Sequence, residues 1–162
     1  MFNIFKKDKE IIVNSPLAGE VTNLKNVPDK TFTSNIIGDG CAIIPEKGSI
    51  YSPIDGTVEI FKTNHLAIFE PKKGLYIVLH FGVGTSLLEG KGFERVIEVE
   101  KGKNVVSGQE LIKYDLDYIN EHAKSSITPF IVSNEKVDKI ELLVAEGKKV
   151  EVGEPLLKII LK

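Results

Sequence analysis

The sequence has little that would mark a secreted or membrane-spanning protein. Its 162 residues include one cysteine, Cys41, which cannot form an internal disulfide. A cytoplasmic location is therefore expected. No apolar run approaches the roughly 18–20 residues that a membrane-spanning helix needs. The first ten residues, MFNIFKKDKE, also lack the long apolar stretch of a signal peptide, and we expect a frayed tail there.

An excess of charge of either sign is also absent. There are 21 Lys and Arg residues against 23 Asp and Glu residues, a formal net charge of −2. This balance provides no basic surface for nucleic acid, so no nucleic-acid partner is expected. The length suits one domain with a buried core. We expect a tail and first strand over residues 1–14 and a single domain over 15–162.

Helical patterns are scarce. Only DLDYINEHAKSS, from Asp115, combines a capping residue with apolar residues at helical spacing, and PDKTFTSNII has room for one irregular turn. Elsewhere, short apolar runs alternate with Gly, Pro, Asn and Asp, which is typical of strands joined by turns. Twelve such runs are predicted as strands: EIIVNS, GEVTNL, CAIIPE, GSIYSP, GTVEIF, LAIFEP, LYIVLHF, ERVIEVE, ELIKYDL, PFIVSN, KIELLV and PLLKIIL.

Two segments recur within the chain. SPLAGEV at 15–21 returns as SPIDGTV at 52–58, and KGKNVVSGQELIKYDL from 101 returns as EGKKVEVGEPLLKIIL from 146. Each copy combines a turn glycine with alternating aliphatic residues. The repeats predict an all-β fold: a compact antiparallel β-sandwich or barrel-sandwich hybrid with internal duplication and one or two short helices. Biotin and lipoate carriers share part of this pattern, but no lysine lies in a suitable hairpin here.

Two of the three histidines, His65 and His80, lie fifteen positions apart among the predicted core strands. Alternation in LYIVLHF puts His80 on the same strand face as Tyr76 and Val78. A single histidine in such a place is usually a packing residue. Thr63, however, precedes His65 by two positions, so its hydroxyl could bond one imidazole nitrogen and aim the other. The group therefore indicates controlled proton or charge chemistry.

The histidine pair has more than one chemical meaning. With a carboxylate it could bind zinc, although two visible ligands are fewer than the four of a structural site or the three of a catalytic site. One histidine could instead be a nucleophile and the other a stabiliser of developing charge. No serine elbow and no Walker-type lysine loop is present. The residues alone leave zinc binding and nucleophilic catalysis open.

The order of the motifs resembles a known family. SPLAGEV, VPDKTF, IIGDGCAIIP, SPIDGTVEIF, TNHLAI, LYIVLHFGVGT, GKGF, AKSSITPFIVSN and VGEPLLKI are similar to glucose-family enzyme IIA of the bacterial phosphoenolpyruvate:sugar phosphotransferase system. The similarity runs from about Ser15 to the end of the chain. Its most specific part is the TNH and HFG pair.

The resemblance implies a β-sandwich phosphocarrier. His80 would accept a phosphoryl group from the phosphohistidine of the small carrier HPr and pass it to a cysteine of an enzyme IIB domain of a sugar permease. His65 would support the transfer, Thr63 would orient His65, and the Gly82 carbonyl would hold the non-reacting nitrogen of His80. No cofactor is implied, and zinc at the two histidines would be adventitious.

The resemblance also implies a docking face around the histidines. A second function, from a different class, is a regulatory module whose unphosphorylated form binds permeases or metabolic enzymes through this face. The chain is expected to be a monomer that meets the membrane only through the permease. The docking residues implied are Asp29, Phe32, Ile36, Ile37, Phe61 and Val78.

The chain departs from the family pattern on the same face. The family commonly has H-[FI]-G-x-D-T, whereas this chain has HFGVGT, with Gly84 in place of the aspartate. Lys30 and Thr31 replace what is often an apolar pair, and Ser86 stands where an aliphatic residue is common. These changes predict altered partner preference or slower transfer. His122 is predicted to be a solvated helix residue, outside the site.

Overall fold

Short strands separated by turn residues form most of the chain, as the sequence pattern predicts. The computed structural model describes residues 9–34, 36–97, 102–133 and 135–162. The strands within these residues are β1 (Glu10–Asn14), β2 (Gly19–Thr22), β3 (Gly38–Pro45), β4 (Ser49–Tyr51), β5 (Gly56–Ile60), β6 (Leu66–Lys72), β7 (Leu75–His80), β8 (Phe93–Arg95), β9 (Lys103–Val105), β10 (Glu110–Tyr114), β11 (Thr128–Ser133), β12 (Val137–Leu142), β13 (Lys149–Val150) and β14 (Pro155–Leu161).

Helical structure is limited to short segments. The first helix spans Lys30–Thr33 and the second spans Leu116–His122, with 3₁₀ turns at Leu24–Asn26 and Thr85–Leu88. Asp115 caps the second helix by accepting a hydrogen bond from Tyr118 N at 3.0 Å, which confirms the predicted start. None of the helices in the described ranges has the length and apolar character to cross a bilayer.

The described strands form three antiparallel sheets. The largest has the order β13-β2-β3-β11-β7-β6-β5-β9, and two three-stranded sheets have the orders β1-β14-β12 and β4-β10-β8. The large sheet ends at β13 and β9 and does not close into a barrel. The main core contains strand residues from all three sheets, including Phe69, Ile112 and Ile159. This all-β sandwich confirms the predicted fold class.

The first repeat forms two equivalent turns. Ser15 Oγ donates to the Leu17 carbonyl at 2.7 Å, and Ser52 Oγ donates to the Ile54 carbonyl at the same distance. Each serine sits at the start of its SPxxG segment, so both copies bend in the same way before entering a strand. The repeat in sequence is therefore a repeat in local structure.

The second repeat pairs with the first. Gly19 of β2 lies opposite Val150 of β13, and Gly56 of β5 lies opposite Val105 of β9. Equivalent residues thus meet in both halves, at the two edges of the large sheet. The predicted internal duplication is confirmed by this matching register.

Some strand predictions were too long, among them GSIYSP and ERVIEVE, and two strands were missed. ERVIEVE contributes only the last two residues of β8, which ends at Arg95, and residues 98–100 of that segment lie outside the described residues. The strands β9 and β13 have only three and two residues. Their runs are too short and polar to show a clear period of two, which is why the pattern did not predict them.

Strand β7 carries the alternation that positions the site. Ile77 and Leu79 are fully buried, whereas Tyr76 is 41% exposed and Val78 and His80 are half-buried. The predicted faces are confirmed. Because the strand is hydrogen-bonded to β6 on one side and β11 on the other, its last residue is held by a rigid sheet.

Candidate active site

His80 is the last residue of β7, and a backbone carbonyl in the following loop holds its imidazole ring. Its Nδ1 is 2.5 Å from the Gly82 carbonyl oxygen. A carbonyl only accepts hydrogen bonds, so Nδ1 carries the proton and the lone pair lies on Nε2. The turn depends on Gly82, whose φ of 80° is in the left-handed region. The Gly82 carbonyl lies where the resemblance implied, against the nitrogen of His80 that does not react, and its role in transfer stays a prediction.

His65 lies in the hairpin turn between β5 and β6. The turn is closed by hydrogen bonds from Phe61 N to Leu66 O at 3.0 Å and from Asn64 N to Phe61 O at 2.7 Å. Thr63 Oγ1 contacts Nδ1 of His65 within hydrogen-bond distance. The hydroxyl therefore fixes the ring, and Nε2 is the nitrogen of His65 left for other partners.

The fold brings the two histidines together. Leu66 pairs with His80 across β6 and β7, and Phe81 N donates to the His65 carbonyl at 2.8 Å. The two imidazole centroids are 5.2 Å apart with the ring planes at 71°. At this separation the two rings are in edge-to-face contact, so a group bound to one imidazole lies within reach of the other. The structure thus brings together the two histidines that the sequence analysis grouped as candidate site residues.

Both imidazoles favour the neutral form. Burial lowers the pKa of His80, against opposing effects of the Gly82 hydrogen bond and of the Asp29 charge. Burial also lowers the pKa of His65, and the neighbouring His80 lowers it further. A neutral imidazole has a lone pair that can attack an electrophile, so this environment suits nucleophilic chemistry.

The first helix forms one side of the site. Asp29 caps it by accepting from Thr31 N at 3.0 Å, and this bond is the main cause of the lowered pKa of Asp29. The Lys124 and His80 charges lower that pKa further. Phe32, on the same helix, lies 5.2 Å from His80 between ring centroids and is only 7% exposed. Phe32 thus packs against the imidazole with little surface left for a partner, while its part in docking stays a prediction.

The other predicted docking residues differ in exposure. Ile36 is 81% exposed, and Ile37 and Phe61 are each 39% exposed. The Phe61 ring meets the His65 ring edge-on at 6.0 Å. Val78 is half-buried on the histidine face of β7. Apolar side chains at this exposure suit protein contact, but the contacts themselves stay predictions.

The sequence analysis did not single out three residues that lie close to the histidine segments, in the chain or in space. Leu87, in the 3₁₀ turn after His80, is 83% exposed. Lys124 lies beside Gly84, 3.4 Å from where a β-carbon would stand. Arg95 bonds the His65 turn from another sheet. The one feature of the sequence that could have drawn attention to Arg95 is that it is the single arginine.

Metal ligands are too few in the described ranges. No group of three or more His, Cys, Asp or Glu residues there is arranged to hold a metal ion. His122 is exposed on the second helix, its Nδ1 3.0 Å from the Tyr118 carbonyl oxygen. Cys41 is buried in β3, and burial raises the pKa of its thiol to about 12.

The sequence matches one protein family over most of its length. The model of that family, described as phosphoenolpyruvate-dependent sugar phosphotransferase system, EIIA 1, matches residues 11–137. The chain belongs to this EIIA family. An EIIA chain is a component of a sugar phosphotransferase system, which confirms the resemblance seen in the motifs.

Curated relatives include free-standing and multidomain proteins. This EIIA chain is 43% identical over 141 residues to the glucose-specific EIIA component of Borreliella burgdorferi, covering 86% of the chain and 74% of that protein. It is 46% identical over 144 residues to the glucose-specific EIICBA component of Staphylococcus carnosus, and 45% identical over 149 residues to the glucoside-specific EIICBA component of that organism. The chain covers 21% of each of these two longer proteins.

The EIIA fold is also found among solved structures. Glucose permease IIA from Mycoplasma capricolum superposes with a TM-score of 0.84 at 31% identity, covering 93% of this chain and 96% of that chain. The agreement extends across nearly the whole molecule. The antiparallel sandwich described above is therefore the EIIA fold.

Proposed function

We propose that this chain is a phosphocarrier that accepts a phosphoryl group on Nε2 of His80 from phosphorylated HPr and passes it to a cysteine of an EIIB domain. The observation that carries the proposal is the bond between His80 Nδ1 and the Gly82 carbonyl. It leaves a lone pair on Nε2 of a neutral, half-buried imidazole. Nitrogen in this state is a nucleophile for phosphorus.

Each of the two transfers, from HPr to His80 and from His80 to EIIB, is a displacement at phosphorus. As the N–P bond of the donor phosphohistidine breaks, the Nε2 lone pair of His80 forms a new N–P bond, and the donor nitrogen keeps the electron pair of the old bond. In the next step this N–P bond breaks as a cysteine thiolate of EIIB forms an S–P bond. The reactants are protein side chains, and the step requires no cofactor.

His65 is the group that stabilises the transferred phosphoryl. Thr63 Oγ1 is within hydrogen-bond distance of Nδ1 of His65, and we assign the hydroxyl as the donor. Nε2 of His65 then carries a proton that it can donate to a phosphoryl oxygen. Phosphoryl transfer passes through a loose transition state with charge spread over the equatorial oxygens. A fixed N–H donor stabilises that charge without reorganising. The 5.2 Å spacing of the rings supports this role.

Glucose or a related glucoside is the sugar class of the proposed pathway. The named relatives are glucose-specific or glucoside-specific components, and two of them join EIIA to EIIC and EIIB in one chain. HPr and EIIB would meet the same exposed apolar residues, which include Ile36 and Phe61. We propose that the chain is a monomer in the cytoplasm, because a monomer can present one face to two partners in turn.

The experiment is phosphorylation by phosphoenolpyruvate, enzyme I and HPr. The variants are His80→Ala, His65→Gln and, as a matched control, His122→Gln, which removes the exposed helix histidine. We expect an acid-labile, base-stable phosphate on wild type, His65→Gln and His122→Gln, and none on His80→Ala. We also expect phosphorylated His65→Gln to stall in transfer to EIIB. Label retained by His80→Ala would refute the assignment of His80.

A regulatory binding module is the second candidate function. The exposed apolar side chains beside the histidines favour protein binding whether or not phosphate is passed on. A module of this kind would bind a permease or enzyme in its unphosphorylated form and release it when His80 gains charge. Wild-type protein that takes no label, or that takes label and passes none to EIIB, would favour this function over the carrier.

A further inference from the structure

Arg95 connects a distant sheet to the turn that carries His65. It is the last residue of β8, in the β4-β10-β8 sheet, whereas His65 lies between strands of the eight-stranded sheet. Arg95 Nε donates to Asn64 Oδ1 at 2.5 Å. Arg95 Nη2 donates to the carbonyls of Ile60 at 3.1 Å and Phe61 at 2.8 Å. One guanidinium thus bonds three points of the turn.

The three acceptors span the turn from its first strand to the residue before the histidine. Ile60 ends β5, Phe61 opens the turn, and Asn64 directly precedes His65. Asn64 has a φ of 60°, in the left-handed region that only a few non-glycine residues adopt. The bond from Arg95 to the side chain of Asn64 stabilises the turn at this left-handed residue.

The backbone of Arg95 is itself anchored. Arg95 pairs with Ile112 of β10, and the next residue, Val96, donates to the Leu111 carbonyl at 2.9 Å. Leu111 and Ile112 are fully buried. The guanidinium therefore reaches the turn from a rigid base. Only arginine offers several N–H donors in a fixed plane, so a lysine at 95 would not reproduce these bonds.

We propose that Arg95 is a positioning residue for the phosphoryl transfer. Through Asn64 it holds the turn that carries Thr63 and His65, and so keeps Nε2 of His65 directed at the phosphoryl group on His80. Arg95 does not touch the reacting atoms. The inference rests on the proposed function, since it explains how the stabilising histidine is held.

The test uses Arg95→Gln and Arg95→Lys in the full chain. We expect transfer to EIIB from the phosphorylated protein to fall about 10- to 100-fold in Arg95→Gln, because misplacement of a catalytic group by about 1 Å has effects of this size. Arg95→Lys should recover little of the loss. Lys113→Gln is the matched control: it also removes a positive charge, on the adjacent strand, and its ion pair with Glu110 at 3.8 Å is on the surface.

Variants of Asn64 separate positioning from general stability. Asn64→Asp keeps an oxygen acceptor for Arg95 and should transfer at close to the wild-type rate. Asn64→Gly keeps the left-handed backbone but loses one of the three acceptors of Arg95, so its loss of transfer should be smaller than that of Arg95→Gln. In the double variant Arg95→Gln/Asn64→Gly the loss should be no larger than in Arg95→Gln alone, because Arg95→Gln already removes the contact with Asn64. Additive losses would overturn the proposal.

A spectroscopic readout makes the test independent of transfer. The imidazole ¹⁵N shifts and pH titration of His65 should change in Arg95→Gln, while those of His80 stay as in wild type. Unchanged His65 signals in a folded Arg95→Gln variant would refute the positioning role. Failure of the wild type to take label would refute the proposed function instead, and the His65 signals would still decide the role of Arg95.

Discussion

At the scale of single residues, two hydrogen bonds define the chemistry of the site. The Gly82 carbonyl fixes the proton of His80 on Nδ1, and the Thr63 hydroxyl fixes the orientation of His65. Each ring is thereby held by a neighbour two residues away in sequence. In the proposed function these contacts make His80 the nucleophile and His65 the donor.

The lowered pKa values of His80 and His65 predict how activity depends on pH. In the proposed function the neutral ring is the nucleophile, so labelling by HPr should keep more than half of its pH 8 rate down to about pH 6.5, the ordinary histidine pKa. It should fall to half only at lower pH, because burial lowers both pKa values. Initial rates of labelling across this range, at constant enzyme I activity, check the prediction. A halving of the rate well above pH 6.5 would contradict it.

The same shifts have a consequence for stability. Between the folded and unfolded pKa values the unfolded chain binds more protons, so the free energy of unfolding decreases as pH falls through about 6.5. Stability from these groups is complete above that pH. Urea unfolding at pH 7.5 and 5.5 should show the loss, and His80→Gln should reduce it. A variant with the full wild-type pH dependence would exclude His80 as a contributor.

At the scale of elements, the loop after β7 determines where His80 points. Val83 N donates to the Ser125 carbonyl at 2.8 Å, which joins the loop to the segment before β11. A β-carbon on Gly82 would lie 2.8 Å from that same carbonyl oxygen and from Thr85 Cγ2. The loop therefore has both a left-handed backbone and close packing at one position. Only glycine meets both conditions.

This close packing predicts the effect of Gly82→Ala. Gly108→Ala is the matched control, because Gly108 has a φ of 87° and open space around it. Both variants carry the strain of a positive φ, but only Gly82→Ala adds a clash with backbone. We expect Gly82→Ala to lower the free energy of unfolding by about 1–3 kcal/mol more than the control. It should also slow labelling of His80. Equal stability of the two variants would argue against the steric account.

At the scale of the whole molecule, strongly exposed apolar residues occur in the segments that flank β3 and follow β7. Ile36 and Leu87 are each more than four-fifths exposed. Asp29 is the carboxylate that acts on His80. Gly84 stands beside Lys124, at the position where the motif resemblance implies an aspartate. The chain therefore has one negative charge fewer there than the resemblance implies, and we expect partner choice to follow that difference.

This charge balance predicts the effect of Gly84→Asp. Aspartate tolerates the left-handed region better than most residues, and Gly84 has a φ of 75°. The resemblance implies basic residues on the proposed partner HPr opposite this position, so the added carboxylate should strengthen HPr binding about threefold to tenfold at low salt, and the gain should shrink as salt rises. Calorimetry or NMR titration at two salt concentrations measures it. Gly84→Asn controls for shape without charge. Equal affinity of wild type and Gly84→Asp would refute the effect.

Local patterns in the sequence were sufficient for much of this molecule. Alternation in LYIVLHF predicted the faces of β7, and the SPxxG copies predicted two equivalent turns. The contact of Thr63 with His65 was predicted from its position two residues before the histidine, and the contact of the Gly82 carbonyl with His80 was implied by the resemblance. All of these depend on the period of a strand or on near neighbours, which the sequence states directly.

Contacts between distant segments were decided only by the tertiary structure. Arg95 reaches Asn64 across 31 positions and two sheets. Lys124 comes beside Gly84 because Val83 and Ser125 pair as an isolated bridge. Phe32 is buried against His80 although its helix has only four residues. Sequence periodicity carries no information on which sheet edge meets which turn, so the support for the site became visible only when the sheets were packed together.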